Sequence, residues 1–505
     1  MIPNATSSYI IFPSEMEGHR ADFVFYHPQF DAVREFRRSA FVVPLGPIIT
    51  RPQYGLPLTG LSEGNVGFLN TQHITRNGEI IFDPPVFIED CPDGVLLKEG
   101  DILFARTGFT LGKVAYVTDS FADYAFGSFC LRFSVLPSAD FRTDFITRFL
   151  NSQVGQLQIL MLRSGSDKPN INSEQIQDIR VPQIDLRTQD KLIEASKVIE
   201  AEALALDKRA KEVRSSAESA MLNELGFNMS LTNTSINYSF KSGVDKKTLW
   251  FTLFPEEITD RLHYLFYYSP HHILDALRDR YRTVPLADIC NVPVIRGEQP
   301  VYDDSGSVTV LKTLDLKDGY IDYDNALKVS QEFFDAHPTT HVQGGDILIS
   351  SAGSGSMGRV AVYERDEAAM ISGELLALRV KKDYDPYFVA YFLRSPFGQT
   401  QFDKWFSGSS GIIHIYEADI AQFLIPVSGD GGVTLKEQKR ITSVVTEHLN
   451  QAHELERQAS AKWQETRKKF EKAISSYLQK KATSAEKKGL TAPRRTRSNQ
   501  STLFE

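Results

Sequence analysis

Cysteine is scarce in this chain: Cys91, Cys130 and Cys290 are the only three in 505 residues, and they lie far apart. Neither a disulfide framework nor a Cys-based zinc cluster can be assembled from them, so inert, buried or half-buried thiols are expected. Long apolar runs are also missing. None approaches the roughly 18 residues of a membrane span, and the opening MIPNATSSYIIFPSEMEG has no basic segment leading into an apolar one, which points to a cytoplasmic protein with no membrane partner. The 11 histidines are scattered, without HExxH or another ligand spacing, and no serine or cysteine stands in a nucleophile elbow. No catalytic and no metal-binding residue is therefore expected. Net positive charge is lacking as well, since 56 basic against 64 acidic side chains leave −8. That sum does not exclude a nucleic-acid partner, because affinity for phosphates depends on local basic patches. One such patch is the tail, where Lys480, Lys481, Lys487, Lys488, Arg494, Arg495 and Arg497 face Glu486 alone. Its low hydrophobicity predicts a disordered segment over 481–505.

What the chain does have is apolar and aromatic content, 42 % and 11 %, sufficient for folded domains with real cores. Its middle, from Leu186 to Phe227, contains no Pro or Gly before Gly226. Small or apolar residues at Leu192, Ser196, Ile199, Ala203, Leu206, Ala210, Val213, Ala217 and Ala220 alternate four and three apart, the seam of a coiled coil. A helix of about forty residues is roughly 60 Å long, and so narrow an apolar stripe needs a partner helix. The same alternation recurs at Ile441, Val445, His448, Ala452, Leu455 and Ala459. Helix pairing is assigned above all to Leu192, Ile199, Leu206 and Val213 against Ile441, Val445 and Leu455.

Laid against itself, the chain repeats at a distance of about 244 residues, which signals duplicated domains. RADFVFYHP from Arg20 matches RLHYLFYYSP from Arg261, and VPL at Val43 matches VPL at Val284. LNTQHITRNGEI from Leu69 matches LKTLDLKDGYI from Leu311, each with a hairpin turn pair, Asn77-Gly78 and Asp318-Gly319. GDILFARTGFTLGKVAYV from Gly100 matches GDILISSAGSGSMGRVAVY from Gly345, FLNSQVGQ matches FLRSPFGQ, and LRTQDKLI faces LKEQKRIT. The fold expected is α+β: two similar mixed α/β halves, 1–185 and 248–434, and two long antiparallel coiled-coil helices, 186–227 and 435–480, related by a pseudo-twofold internal repeat. A polar linker occupies 228–247. Two similar readers held apart by a rod is the functional expectation.

Three stretches bear on chemistry. Gly353, Gly355 and Gly358 satisfy the spacing of a dinucleotide-binding turn, but the residues after them, RVAVY, alternate as a strand does and open no helix. A Gly-rich strand-to-strand loop fits a tip that approaches a phosphate backbone or base edges, which nominates Arg106, Thr107 and Lys113 in one half and Ser351, Ser354, Ser356 and Arg359 in the other. The loops ahead of the long helices nominate Lys168 and Asn170, and Ser409, Ser410 and His414, as donors to phosphates or bases. Asp83-Pro84-Pro85-Val86 is similar to the motif that holds a flipped adenine in amino-methyltransferases, with Val86 in place of the stacking aromatic.

The repeated order VPL, NGEI or DGYI, GDILFARTGFTLGKVA, then GSDKPNINSEQIQDIRVP running into Q-x-x-I resembles the specificity subunits of type I restriction-modification systems. The likeness extends from about Arg20 to Leu478 and occurs twice. The usual P-x-P-P-L-x-E-Q lead into the helix is here Pro182 to Gln189, and the second copy inserts Ser428 to Gly432 after Val427. The resemblance implies two target-recognition domains that read the two parts of a split, asymmetric target in double-stranded DNA, with the helices as a ruler. It further implies a subunit without catalysis of its own, docking two adenine methyltransferase subunits that carry S-adenosylmethionine and, in a full enzyme, a translocating nuclease subunit. A specificity subunit of a related phage-defence modification system, a self-contained DNA methyltransferase and a coiled-coil scaffold are the alternatives left open.

Overall fold

The computed structural model describes residues 25–92, 94–165, 169–227, 272–317, 319–324, 326–353, 355–409 and 412–487. The chain divides into two compact units, Met1–Leu206 with Arg457–Glu505 and Asp207–Glu456. The linker 228–247 and the tail from residue 488 onward lie outside the described residues.

In the first unit a four-stranded antiparallel sheet carries the core. Its strands are β2 (Gln53–Tyr54), β5 (Asp101–Ala105), β6 (Val114–Tyr116) and β8 (Cys130–Ser134), in the order β2-β8-β5-β6. A second sheet has the order β4-β3-β7, from β3 (Val66–Leu69), β4 (Phe87–Ile88) and β7 (Ala125–Phe126). A short pair, β1 (Val42–Pro44) with β9 (Arg180–Pro182), closes the unit. The run DILFA is buried at every position because β5 is covered on both faces. Successive side chains of a strand point to opposite faces. Ile102 and Phe104 accordingly join the cluster built by helices Thr143–Asn151 and Gln153–Leu162, whereas Leu103 and Ala105 join Leu69, Ile74 and Phe126.

The second unit carries the same orders. Strands β11 (Ile295–Arg296), β15 (Ile347–Ser350), β16 (Val360–Val362) and β18 (Leu375–Leu378) form the sheet β11-β18-β15-β16. Strands β12 (Val308–Leu311), β13 (Leu327–Val329), β14 (His341–Val342) and β17 (Ala369–Ile371) form β13-β12-β17-β14, with β14 as an added edge. The closing pair is β10 (Thr283–Pro285) with β21 (Leu424–Pro426), and a further hairpin pairs β19 (Ser407–Ser409) with β20 (Ile412–His414). Strand β15 is covered on both faces as β5 is: Ile347 and Ile349 pack with helix Pro386–Arg394, and Leu348 packs with Leu311 and Leu316.

The motifs shared by the two halves of the sequence are structural joints. In FLNSQVGQ, Gln156 Nε2 donates to the Gly112 carbonyl at 2.7 Å and the Leu150 carbonyl at 2.8 Å. In FLRSPFGQ, Gln399 Nε2 donates to the Gly358 and Leu393 carbonyls, both at 3.0 Å. Each glutamine thus anchors a glycine-rich loop to the corner between two helices. The corner glycine is required by space: a Cβ on Gly155 would lie 2.2 Å from the Phe149 carbonyl oxygen, and one on Gly398 would lie 2.1 Å from that of Leu393.

The long helices are Leu186–Glu224 and Leu435–Lys487. The first ends at Gly226 in the left-handed region, φ +75°, where the Phe227 N–H returns to the Leu222 carbonyl at 2.9 Å. The second runs seven residues past the expected end at Lys480, so 481–487 is helix and not tail. Ala, Glu and Lys in this stretch are good helix formers, which a reading by charge and hydropathy overlooks. Within the first unit the helices run antiparallel, with Ile193 sharing a cluster with Phe470 and Ile474 and Glu202 paired to Lys462 at 2.6 Å. Within the second unit Ala217 and Met221 share a cluster with Ile441 and Val445, and Arg214–Glu456 and Arg440–Glu224 pair at 2.6 Å each. Val213, Ile441 and Val445 are buried, whereas Leu192, Ile199, Leu206 and Leu455 are half-buried. At the start of the first helix it is Ile193 that is buried rather than its neighbour Leu192.

Candidate nucleic-acid interface

In the first unit the two nominated stretches meet. The loop after β5 lies beside the segment ahead of the long helix: Thr107 and Asn170 form an antiparallel bridge, Ile171 N–H donates to the Arg106 carbonyl at 3.0 Å, and Gly108 N–H donates to the Pro169 carbonyl at 2.9 Å. Arg106 is half-buried, its guanidinium over the Tyr54 ring at 5.0 Å and Nη1 3.5 Å from the Ser128 carbonyl. Asn170 also pairs with Ser164. Lys113 is half-buried, and burial together with nearby Arg76 lowers its amine from the usual range. Two positive charges near each other favour an anion between or beside them. Lys168 lies outside the described residues.

The second unit builds the same contact. Ala352 bridges His414, Ile415 N–H donates to the Ser351 carbonyl at 2.9 Å, and Gly353 N–H donates to the Ile413 carbonyl at 3.1 Å. These are the positional equivalents of Thr107 with Asn170, Ile171 with Arg106 and Gly108 with Pro169. His414 is half-buried and faces Tyr416 at 6.5 Å between ring centroids, and Arg296 sits over that tyrosine at 5.7 Å. Ser409 lies on strand β19, while Ser354 and Ser410 lie outside the described residues.

Two serines do not stand where the sequence reading put them. Ser351 is 4 % exposed, and its hydroxyl donates to the Glu374 carbonyl at 2.9 Å. The Ser356 hydroxyl donates to the Ala352 carbonyl at 2.7 Å. Ser356 closes the loop on itself, because a Gly-rich turn leaves carbonyls that a short side chain can satisfy, whereas Ser351 ties the loop to the turn ahead of β18. Arg359 likewise donates to the Gly355 carbonyl at 2.7 Å and the Leu316 carbonyl at 3.4 Å, which pins the loop and leaves the guanidinium at its base.

Residues absent from the sequence reading complete the surface. Phe109 is 91 % exposed and Phe129, whose carbonyl accepts from Arg106 N–H at 2.9 Å, is 60 % exposed. Arg76, on the Asn77-Gly78 hairpin, donates from Nη2 to the Phe109 carbonyl at 3.1 Å. The hairpin is itself held by Arg467 of the long helix, which donates to the Arg76 carbonyl at 2.8 Å and to Asn77 Oδ1 at 2.7 Å. Periodicity identifies strands and seams but carries no signal for an aromatic that faces outward. Asp83 to Val86 serves a different purpose. The Pro84 carbonyl lies 3.1 Å from His73 Nε2, the Val86 carbonyl accepts from Phe68 N–H at 2.7 Å, and the stretch thereby ties the small sheet together.

Among the described residues no group of three or more His, Cys, Asp or Glu is placed to hold a metal ion, and no helix is long and apolar enough to cross a membrane. Cys130 is fully buried, which pushes its thiol up to about 12, and burial pushes Cys290 up to about 11, so neither is a nucleophile at neutral pH.

Three solved structures resemble the chain in part. One is titled for complex assembly and conformational transition of the type I R-M system (17 % identity, 86 % of this chain and 97 % of that one, TM-score 0.31). The second is an HsdS subunit from Thermoanaerobacter tengcongensis (16 %, 86 % and 96 %, TM-score 0.29). The third is a type I restriction-modification S subunit from M. genitalium (13 %, 86 % and 95 %, TM-score 0.35). No curated protein sequence matches the chain. Residues 279–462, which span the sheets and the loop–hairpin contact of the second unit and run into the second long helix, match the family described as Type I restriction modification DNA specificity domain.

Proposed function

We propose that the chain is the non-catalytic DNA sequence-specificity subunit of a type I restriction-modification system. In this reading each unit reads one part of a bipartite, asymmetric target, and the subunit docks two adenine methyltransferase subunits and a translocating nuclease. The observation that carries it is the recurrence of one loop contact in both units, built from different side chains. Thr107 and Asn170 occupy in the first unit what Ala352 and His414 occupy in the second, on the same sheet order. A common scaffold with divergent tips is what two readers of unlike sequences require. The matched specificity domain at 279–462 supports the DNA reading for the second unit. The paired cations of the first support it there.

The test is to co-express the chain with its methyltransferase partner and map methylated adenines across the host genome. A split motif with an unread gap is the expected outcome. Exchange of His414 for the residue at the equivalent position, His414→Asn, is expected to alter one half of that motif and leave the other. Methylation without sequence preference, or a motif that changes in both halves, would defeat the proposal.

A further inference from the structure

Phe109 is the most exposed large apolar side chain among the described residues, at 91 %, ahead of Val301 at 68 %. It is also firmly placed. Gly108 adopts φ +65° and bonds to the Pro169 carbonyl, Leu111 N–H returns to the Gly108 carbonyl at 3.1 Å, the Thr110 hydroxyl donates to the Thr107 carbonyl at 2.9 Å, and Arg76 holds the Phe109 carbonyl. A ring presented on so braced a turn loses little further freedom when it is bound. Arg76 and Lys113 lie near enough to repel each other, and no ion pair among the described residues involves either. An exposed apolar ring on a turn that Arg76 braces, with Lys113 near that arginine, fits a surface that is apolar in the centre and anionic at the edges, which is a base step between two phosphates.

We propose that Phe109 is an aromatic wedge that presses into a base step of the half-site read by the first unit, with Arg76 and Lys113 on the flanking phosphates. This rests on the DNA-reading function and names the residues that perform it in that unit. The second unit has the sequence Gly353-Ser354-Gly355-Ser356 at the corresponding place, with no aromatic, so the two half-sites are read by unlike chemistry.

The test uses the full subunit with its methyltransferase partners and the duplex target found by methylation mapping, carrying 2-aminopurine at successive positions of the first half-site. The wild type should raise the fluorescence of one position, and Phe109→Ala should abolish that rise. Affinity should fall roughly 10-fold to 100-fold, the worth of one base–aromatic contact, with an unchanged salt slope. Arg76→Ala and Lys113→Ala should each lower the salt slope by about one. Thermal stability of Phe109→Ala should match the wild type, since the ring is almost wholly exposed. Unchanged affinity and unchanged fluorescence in Phe109→Ala, or a loss confined to assembly with the methyltransferase, would overturn the wedge while the subunit still binds its target. A wild type without sequence-specific binding at any salt concentration would remove both the wedge and the function on which it rests.

Discussion

At the scale of single residues, the glutamines decide more than the charged side chains do. Gln189 is fully buried, donates to the Asp140 and Ile184 carbonyls at 2.9 and 2.7 Å and accepts from Arg142 N–H at 2.8 Å. Gln438 occupies the same place in the second unit, donating to the Val433 carbonyl at 2.8 Å and accepting from Asp385 N–H at 2.9 Å. Each fastens the first turn of a long helix to its globular body. Gln189→Ala strands a buried amide and two carbonyls, so a loss of about 1–3 kcal/mol is expected in urea unfolding with an unchanged m-value. A loss below about 0.5 kcal/mol would show that water replaces the side chain there.

Asp403 provides a test of a different kind. It sits on helix Pro396–Trp405, and burial pushes its carboxyl up from the usual 3.8 to about 7. The folded chain therefore keeps this proton to higher pH than the unfolded chain does. Stability should fall as pH rises from about 4 to about 7, and the full cost should persist above that window. Asp403→Asn removes the ionisation. The variant should melt above the wild type at pH 8, with the gain shrinking towards pH 4, and an equal difference at both pH values would refute the assignment.

Among the elements, the two long helices are built for close approach rather than for deep burial. Ala203, Ala210 and Ala217 on one, and Ala452 and Ala459 on the other, are buried and small, whereas Leu206 and Leu455 remain half-buried. Small seam residues bring backbones together but remove little apolar area from water, so the ion pairs and the joints to the sheets share the task. Each helix contributes one part to each unit, with the first divided after Leu206 and the second after Glu456. If helix length sets the gap between half-sites, deleting one heptad from each helix removes about 10 Å of rise, the length of about three base pairs. Methylation mapping of that variant should return the same half-sites with a gap shorter by about three positions. An unaltered gap would remove the ruler.

For the whole molecule, the motifs that recur in the sequence fall at equivalent places in two units of the same sheet order. The acidic surplus is spread over 505 residues, while the cations at the loops of the first unit, Arg76, Lys113 and Arg106, come from separate parts of the chain. The duplicated motifs GDIL and FLxSxxGQ, and the glutamine in the first turn of each long helix, could be read directly because they are the joints of the scaffold, where a buried strand, a close helix corner and a satisfied carbonyl tolerate few residue types. The coiled-coil seam could be read for the same reason, within a residue, since its period is written in the spacing of small side chains. Outward-facing side chains obey no period, and so Phe109 and Phe129 left no trace, while Ser351 and Ser356 looked available when their hydroxyls are spent on the Glu374 and Ala352 carbonyls. The sequence by itself thus determined the α+β class, the duplication and the two long helices, all of which arise from local patterning of apolar residues. Only the tertiary structure decided that the loop after β5 and the segment at Asn170 form one surface, because that contact joins residues more than sixty positions apart, and nothing local encodes which exposed groups a fold will bring together.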